Sequence, residues 1–201
     1  TILGAYTLSR KNLYWGKMIS MIVIIPMFFS GGLIPFYLLV KNLGMLDSLW
    51  ALILPTALST YNMMIMRTAL AGVPKALEEA AEIDGANPLV VLFRILIPLT
   101  IPTIAVLILY YAVANWNSWF NAMLFLPKAK EKWPLQLVLR NLLIQNQTDD
   151  LTSGVAAADK FSVSETIKYA TIIVSTLPIL CLYPFLQKYS NEDVMIRTEK
   201  S

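Results

Sequence analysis

Four carboxylates stand within seven positions, at Glu78, Glu79, Glu82 and Asp84, inside the stretch Leu77–Ala86. Acids this crowded can do one of three things. They can hold a cation, keep a loop helix solvated, or meet a basic surface on another protein. A hard divalent cation wants six or more oxygens from several loci. These acids are nearly consecutive and no second cluster answers them, so no metal site is expected. A solvated loop helix and a docking knob both remain open from the residues alone. The surroundings sharpen the question, because 57% of the 201 residues are hydrophobic and only 14% charged, with a mean hydropathy of +0.60. Such a composition belongs to membrane proteins. Carboxylates are costly in hydrocarbon, so the acidic island must lie in water beside the bilayer.

Other chemistries are excluded by what is missing from the sequence. There is no histidine and one cysteine, Cys181, which removes Ser-His-Asp and Cys-His catalysis, the common zinc sets and any internal disulfide. No G-x-x-x-x-G-K-[ST] run binds ATP phosphates. The net charge of +3 is spread thinly, without the basic run a nucleic-acid partner would need. No catalytic residue, metal or cofactor is therefore expected. The chain opens Thr1-Ile2-Leu3-Gly4-Ala5-Tyr6, which reads as the tail of a helix already under way, so it is expected to be a piece of a longer protein cut at its N-terminus.

The elements that must position the acids are apolar spans. Four stretches approach the roughly 20 residues needed for one crossing. The first runs from about Met18 to Val40 and is expected to be bent or interrupted by Pro26, Gly31-Gly32 and Pro35. The second runs from about Ser48 to Met66. The third runs from about Ile95 to Leu126, its first turns to Pro102 emerging from the membrane. The fourth runs from about Thr166 to Leu186, interrupted by Pro178 and Pro184. Arg10, Lys11, Lys17, Arg67, Lys75, Arg94, Lys188, Arg197 and Lys200 then fall on one side, modestly favouring a cytoplasmic acidic island. Tyr14, Trp15, Trp119 and Trp133 fall near the interfaces. In the long outer loop, Pro134 opens an amphipathic helix with Leu135, Val138, Leu139 and Leu142 on one face. That helix either lies against membrane or a sister subunit, or belongs to a docking face for an outer partner.

The island has its own local logic. Pro74 fits the first turn of a helix, and Glu78 and Glu79 fall early in it, near the positive end of its dipole. Gly85 supplies the left-handed residue that ends it. Asn87 then caps a second helix and Pro88 opens it. The result is a helix, a glycine turn and another helix leading into the third span, a lever joined to the membrane.

Glu79-Ala80-Ala81, three residues, Gly85, nine residues, then Ile95-Leu96-Ile97-Pro98 resembles the EAA signature of ABC-importer permeases. Only Ile97 departs from that motif, where leucine is usual. Val73-Pro74 and Asp84-Gly85-Ala86 also fit. The resemblance covers nearly the whole chain, in the order of spans three to six. It is strongest to carbohydrate-importer permeases related to the maltose transporter's second permease. Trp116-Asn117-Ser118-Trp119-Phe120-Asn121-Ala122 and Trp133-Pro134-Leu135-Gln136 are similar to a subgroup associated with complex oligosaccharides. In the tail, Val194-Met195-Ile196 and Lys200 fit the family, whereas Asp193 and Arg197 stand where glycines are usual.

The resemblance implies an all-α, polytopic helical bundle of the type I ABC-importer permease kind, one permease domain over residues 1–201. Residues 72–98 would be the cytoplasmic coupling helices and 127–165 the extracytoplasmic loop. It implies a multi-pass protein of the bacterial plasma membrane, in contact with lipid. Its partners would be a second, different permease subunit, two ATPase subunits that hydrolyse the ATP, and an extracytoplasmic solute-binding protein. Glu78, Glu79, Ala80, Ala81, Asp84, Gly85 and Pro98 would form the ATPase-coupling site. Glu79 would meet a basic residue, Gly85 would allow the sharp turn, and Ala80 and Ala81 would permit close approach.

Candidate solute-path residues are Tyr61, Asn62, Asn115, Trp116, Asn117, Trp119 and Asn121. Amides bond sugar hydroxyls and indoles pack on pyranose faces. The same residue types also serve as helix–helix glue and interface anchors, and that alternative stays open. Another ABC-importer cargo, an amino acid or a peptide, also stays open. An ion-coupled secondary transporter is disfavoured, because the span centres lack Asp, Glu, Lys and Arg.

Overall fold

A computed structural model describes residues 1–10, 13–152, 166, 168–182 and 184, with backbone alone over 145–152. The tail Asp193–Lys200 and the second half of the 127–165 loop lie outside the described residues. Secondary structure among the described residues is helical throughout. The helices are α1 (Ile2–Ser9), α2 (Gly16–Phe28), α3 (Leu33–Asn42), α4 (Trp50–Thr56), α5 (Thr60–Ala71), α6 (Lys75–Ile83) and α7 (Pro88–Val91). A π-turn over Leu92–Leu96 continues α7 into α8 (Ile97–Leu99). There follow α9 (Ile101–Trp116), α10 (Trp119–Phe125), a 3-10 turn at Lys130–Lys132, α11 (Leu135–Thr152) and α12 (Lys168–Leu182).

Among the described residues no single helix is long and apolar enough to cross a membrane. Two bent pairs reach that length together, α2 with α3, bent by 112°, and Pro88–Leu99 with α9, bent by 85°. The interruption expected near Gly31-Gly32 is thus observed, with Gly32 at φ +87°. The third stretch also changes direction, which was not foreseen, and does so at buried Thr100. Its hydroxyl donates to the carbonyls of Leu96, at 2.8 Å, and Ile97, at 3.3 Å.

Two expectations need correction. The second stretch, Ser48–Met66, is not one helix. Pro55 sits at the end of α4, and Ser59 caps a new helix by accepting the amide of Asn62 at 3.3 Å. The amide of Ser59 in turn donates to the Tyr111 hydroxyl at 2.9 Å, which fixes the break from outside. The helix expected to open at Pro134 begins at Leu135. Leu137 is fully buried against Ala122 and Leu126, while Leu135, Val138 and Leu142 are exposed. The face carrying Leu135, Val138 and Leu142 is the one left outward in this chain, while Leu137 on the other side packs beside α10.

The chain clusters into two compact units, each with its own packing. The first comprises, among described residues, Thr1–Phe36 and Leu54–Tyr111. Its core joins Ala5, Tyr6 and Leu8 of α1 to Met63, Met66 and Leu70 of α5, then to Ala81, Val91, Leu92 and Leu96. Gly4 lets α1 and α5 approach closely, since a Cβ there would meet the Met63 sulfur at 2.8 Å. Buried Leu92 and Leu96 each contribute about 1.5–3 kcal/mol to holding the lever.

The second unit runs over Tyr37–Ile53 and onward from Ala112. Tyr37 stacks on Phe125, and Leu52, Trp119 and Trp133 surround Ala122, Leu126 and Leu137. Exposed Met21, Ile22, Phe28 and Ile34 on α2 and α3, with Ile172 and Leu180 on α12, leave apolar surface far beyond what a soluble monomer presents.

Candidate functional site

The acidic island forms the lever that its residues foretell. α6 starts after Pro74, which stands just outside the first turn rather than in it, and Glu78 lies in that turn. Gly85 adopts φ +79°, and no atom lies within 4 Å of where a Cβ would point. Glycine is therefore required here by its conformation and not by crowding at the Cβ position. Asn87 caps α7 by accepting the Leu89 amide at 3.2 Å, with Pro88 as the first helical residue.

The acids have different fates. Arg10, just beyond the end of α1, places Nη1 2.8 Å from Glu78 Oε2 and 3.3 Å from Glu82 Oε1. Glu78 and Glu82 are one helical turn apart, so a single guanidinium spans both. The guanidinium also lies 4.5 Å over the Tyr6 ring and donates through Nη2 to the Tyr6 hydroxyl. Burial opposes its charge, but the Tyr6 hydroxyl and the nearby carboxylates of Glu78 and Glu82 outweigh that, raising its pKa above the ordinary value. Glu79 takes no part in this ion pairing and is exposed, as are Asp84 and Pro98. Ala80 is exposed too, but Ala81 faces inward and packs in the unit's own core. The close approach that Ala81 permits here is to its own chain. Exposed Leu77, Ile83, Leu89 and Phe93 set apolar patches beside the outward acids.

Between these elements lies a polar cleft of about 300 Å³, lined by Ser9, Arg10, Leu70, Lys75, Glu79 and Glu82 among others. Its opening carries the carboxylates rather than a hydrophobic pocket. Among the described residues no group of three or more His, Cys, Asp or Glu is disposed to hold a metal. What the arrangement can do is receive a basic side chain at Glu79 and transmit force through α6.

The candidate solute-path residues are divided between the two units, Tyr61 and Asn62 in the first and Asn115, Trp116, Asn117, Trp119 and Asn121 in the second. Tyr61 is exposed and Asn62, its neighbour in α5, is buried. Asn115 and Asn117 are exposed near the end of α9, and Asn121 is half-buried in α10. Trp116 donates from Nε1 to the carbonyl of Ser175 at 3.0 Å, and Gln136 reaches the same carbonyl at 3.4 Å. Trp119 packs edge-on to Phe120 and under the guanidinium of Arg140, 4.2 Å away. Both indoles thus serve internal packing.

Sequence reasoning missed Arg10 and Tyr6, which stand some seventy to eighty positions upstream of their partners Glu78, Glu82 and Pro88 and share no local pattern with them. It also missed Asp47. This residue adopts φ +58° and accepts the backbone amides of Lys128, at 2.8 Å, and Ala129, at 3.1 Å. Its own carbonyl accepts Lys132 Nζ at 2.9 Å. The only local hint was its residue type, since Asp tolerates the left-handed region.

Residues 1–195 match the family described as "Binding-protein-dependent transport system inner membrane component". The chain is 41% identical over 203 residues to the polygalacturonan/rhamnogalacturonan transport system permease protein YtcP of Bacillus subtilis, covering 98% of this chain and 69% of that protein. It is 42% identical over 200 residues to Protein LplC of the same organism, covering 100% of this chain and 67% of that protein. A solved structure, that of a bacterial ABC transporter involved in the import of the acidic polysaccharide alginate, matches with a TM-score of 0.81 and 32% identity. That match covers 94% of this chain and 66% of the other, so the chain spans about two thirds of the length of these relatives.

Proposed function

The chain belongs to the binding-protein-dependent transport system inner membrane components, and from that membership we propose that it is a permease subunit of an ATP-driven oligosaccharide importer. The observation that carries this reading is the fate of the acids on α6. Arg10 pairs with Glu78 and Glu82 within the chain, and Glu79 is left exposed without a share in that bridge, as is Asp84 beside the glycine turn. A helix built this way offers a partner outward carboxylates, Glu79 on its face and Asp84 at its end. Glu79 meets a basic side chain of an ATPase subunit. Closure of the ATPase pair on ATP pushes α6, and the push shifts the population between two membrane states.

The same reading supplies the other partners: a second permease, a second ATPase subunit and an extracytoplasmic binding protein that delivers the solute. The chain itself hydrolyses nothing and passes the membrane several times. The exposed apolar surfaces of α2, α3 and α12 support contact with lipid or with the sister permease. The cargo is an oligosaccharide. The acidic polysaccharide named for the alginate importer makes anionic sugar chains the class to test first.

The test is Glu79→Lys in the assembled importer, with co-purification of the ATPase and binding-protein-stimulated hydrolysis as readouts. A charge-assisted contact is worth about 1.5–3 kcal/mol, and reversing it loses at least that. ATPase recovery should fall by at least tenfold while membrane levels of the permease hold. Full recovery with full stimulation would return α6 to a merely solvated helix.

A further inference from the structure

We propose that Arg10 is a positioning residue for energy coupling, a bridge that carries movement of α6 into α1 and α5. The inference rests on the docking reading of α6 given above. Beside the apolar core they share, two further connections run from the lever toward the membrane helices. One is covalent, along α7, the π-turn, α8 and the 85° bend at Thr100 into α9. A π-turn and a right-angle bend make that route compliant, since both are places where the regular hydrogen-bond ladder is broken. A push absorbed there would be lost.

The second connection is the bridge at the end of α1. Arg10 closes α1 in an extended conformation, with φ −72° and ψ 128°, which turns its side chain toward α6. One guanidinium holds Glu78 and Glu82 together, and the Tyr6 hydroxyl beneath it donates to the Pro88 carbonyl at 3.1 Å. The end of α1 therefore grips both limbs of the lever, α6 through Arg10 and α7 through Tyr6. The side chains of Arg10 and Glu78 are only 28% and 20% exposed. That shielding makes the contact stronger than an ordinary surface pair. Farther along, α1 is seated on α5 through Gly4, Ala5 and Met66, with the Met63 sulfur filling the space above Gly4. The packing of Ala5, Tyr6 and Leu8 on Met63, Met66 and Leu70 opposes sliding of α1 along α5, so displacement of α6 is carried into both helices.

The arrangement also explains the division of the acids. With Glu78 shielded in the bridge and Glu82 sharing the same guanidinium, the outward acids are Glu79 and Asp84; a partner's cation that meets Glu79 applies the docking force one residue from the bridge that transmits it.

The experiment compares Arg10→Met, Arg10→Glu and the double variant Arg10→Glu/Glu78→Arg in the complete importer, reconstituted in proteoliposomes with its binding protein. The readouts are ATPase co-purification and solute imported per ATP hydrolysed. Both single variants should retain the ATPase but lose about five- to tenfold in solute per ATP. The double variant rebuilds the bridge with its charges exchanged, the cation on α6 lying between two carboxylates, and should recover to within about twofold of the parent. Parental solute per ATP in Arg10→Met overturns the proposal. So does a double variant that regains assembly without regaining coupling, or that regains neither. If the single variants fail to assemble, recovery of assembly and coupling together in the double variant supports the bridge. Glu79→Lys run in parallel separates the two claims. Loss of the ATPase there, with a parental Arg10→Met, removes the bridge and leaves the docking helix standing. Retention of the ATPase there removes the docking helix itself.

Discussion

The hydroxyl of Tyr6 donates to the carbonyl of Pro88 at 3.1 Å, joining the last turn of α1 to the first residue of α7. The same oxygen accepts from Arg10 Nη2, so one phenol stands between the acidic helix and its successor. Tyr6→Phe keeps the ring under the guanidinium and deletes both bonds. A loss of about 1–2 kcal/mol in the stability of the purified permease is expected. Thermal unfolding in detergent measures it, and an unchanged midpoint would mean that neither bond contributes.

Gly85 separates backbone strain from crowding, because nothing lies near its missing Cβ. Gly85→Leu should cost roughly 1–2 kcal/mol through the left-handed conformation alone, and Gly85→Asn clearly less. The strain is relieved by unwinding the turn, which misdirects α6. Binding-protein-stimulated ATP hydrolysis should therefore rank parent above Gly85→Asn above Gly85→Leu. Equal activity in all three would show that the turn is not part of the transmission.

Asp47 predicts an ordering among substitutions at an outer loop. Asp47→Ala leaves the amides of Lys128 and Ala129 without their acceptor and loses the residue's tolerance of φ +58°. The cost should be about 1–3 kcal/mol, seen as faster proteolytic nicking within residues 127–133. Asp47→Asn keeps an acceptor oxygen and the tolerance, so it should nick at close to the parental rate.

The polar end of α9 divides into two classes. Trp116→Ala removes the donor to the Ser175 carbonyl, so it should lower the amount of folded permease in the membrane. Asn117 is exposed, and Asn117→Leu should leave that amount unchanged while reducing solute uptake. Quantitative blots alongside uptake of labelled oligosaccharide distinguish the two. Parental uptake in Asn117→Leu would remove it from the solute path.

Local chemistry was legible in the residues themselves. Pro74, Gly85, Asn87 and Pro88 act through their own backbone or a neighbour's, so type and spacing located the helix, the turn and the second helix within a residue. The EAA spacing placed the chain in its family for the same reason, since a lever of fixed length needs its glycine and proline at fixed distances. What the sequence left undecided were relations between distant segments. Four carboxylates on one short stretch look alike until Arg10, brought in on another helix, takes two of them and leaves Glu79 outside. Leu137 of α11 is buried against Ala122 and Leu126, a contact that the apolar stripe of Leu135, Val138 and Leu142 does not foretell. Ser48–Met66 became two helices, because Tyr111 offered Ser59 a partner. Periodicity and capping are properties of a few consecutive residues. Pairing and burial are settled only when the tertiary fold brings the other half of each contact into reach.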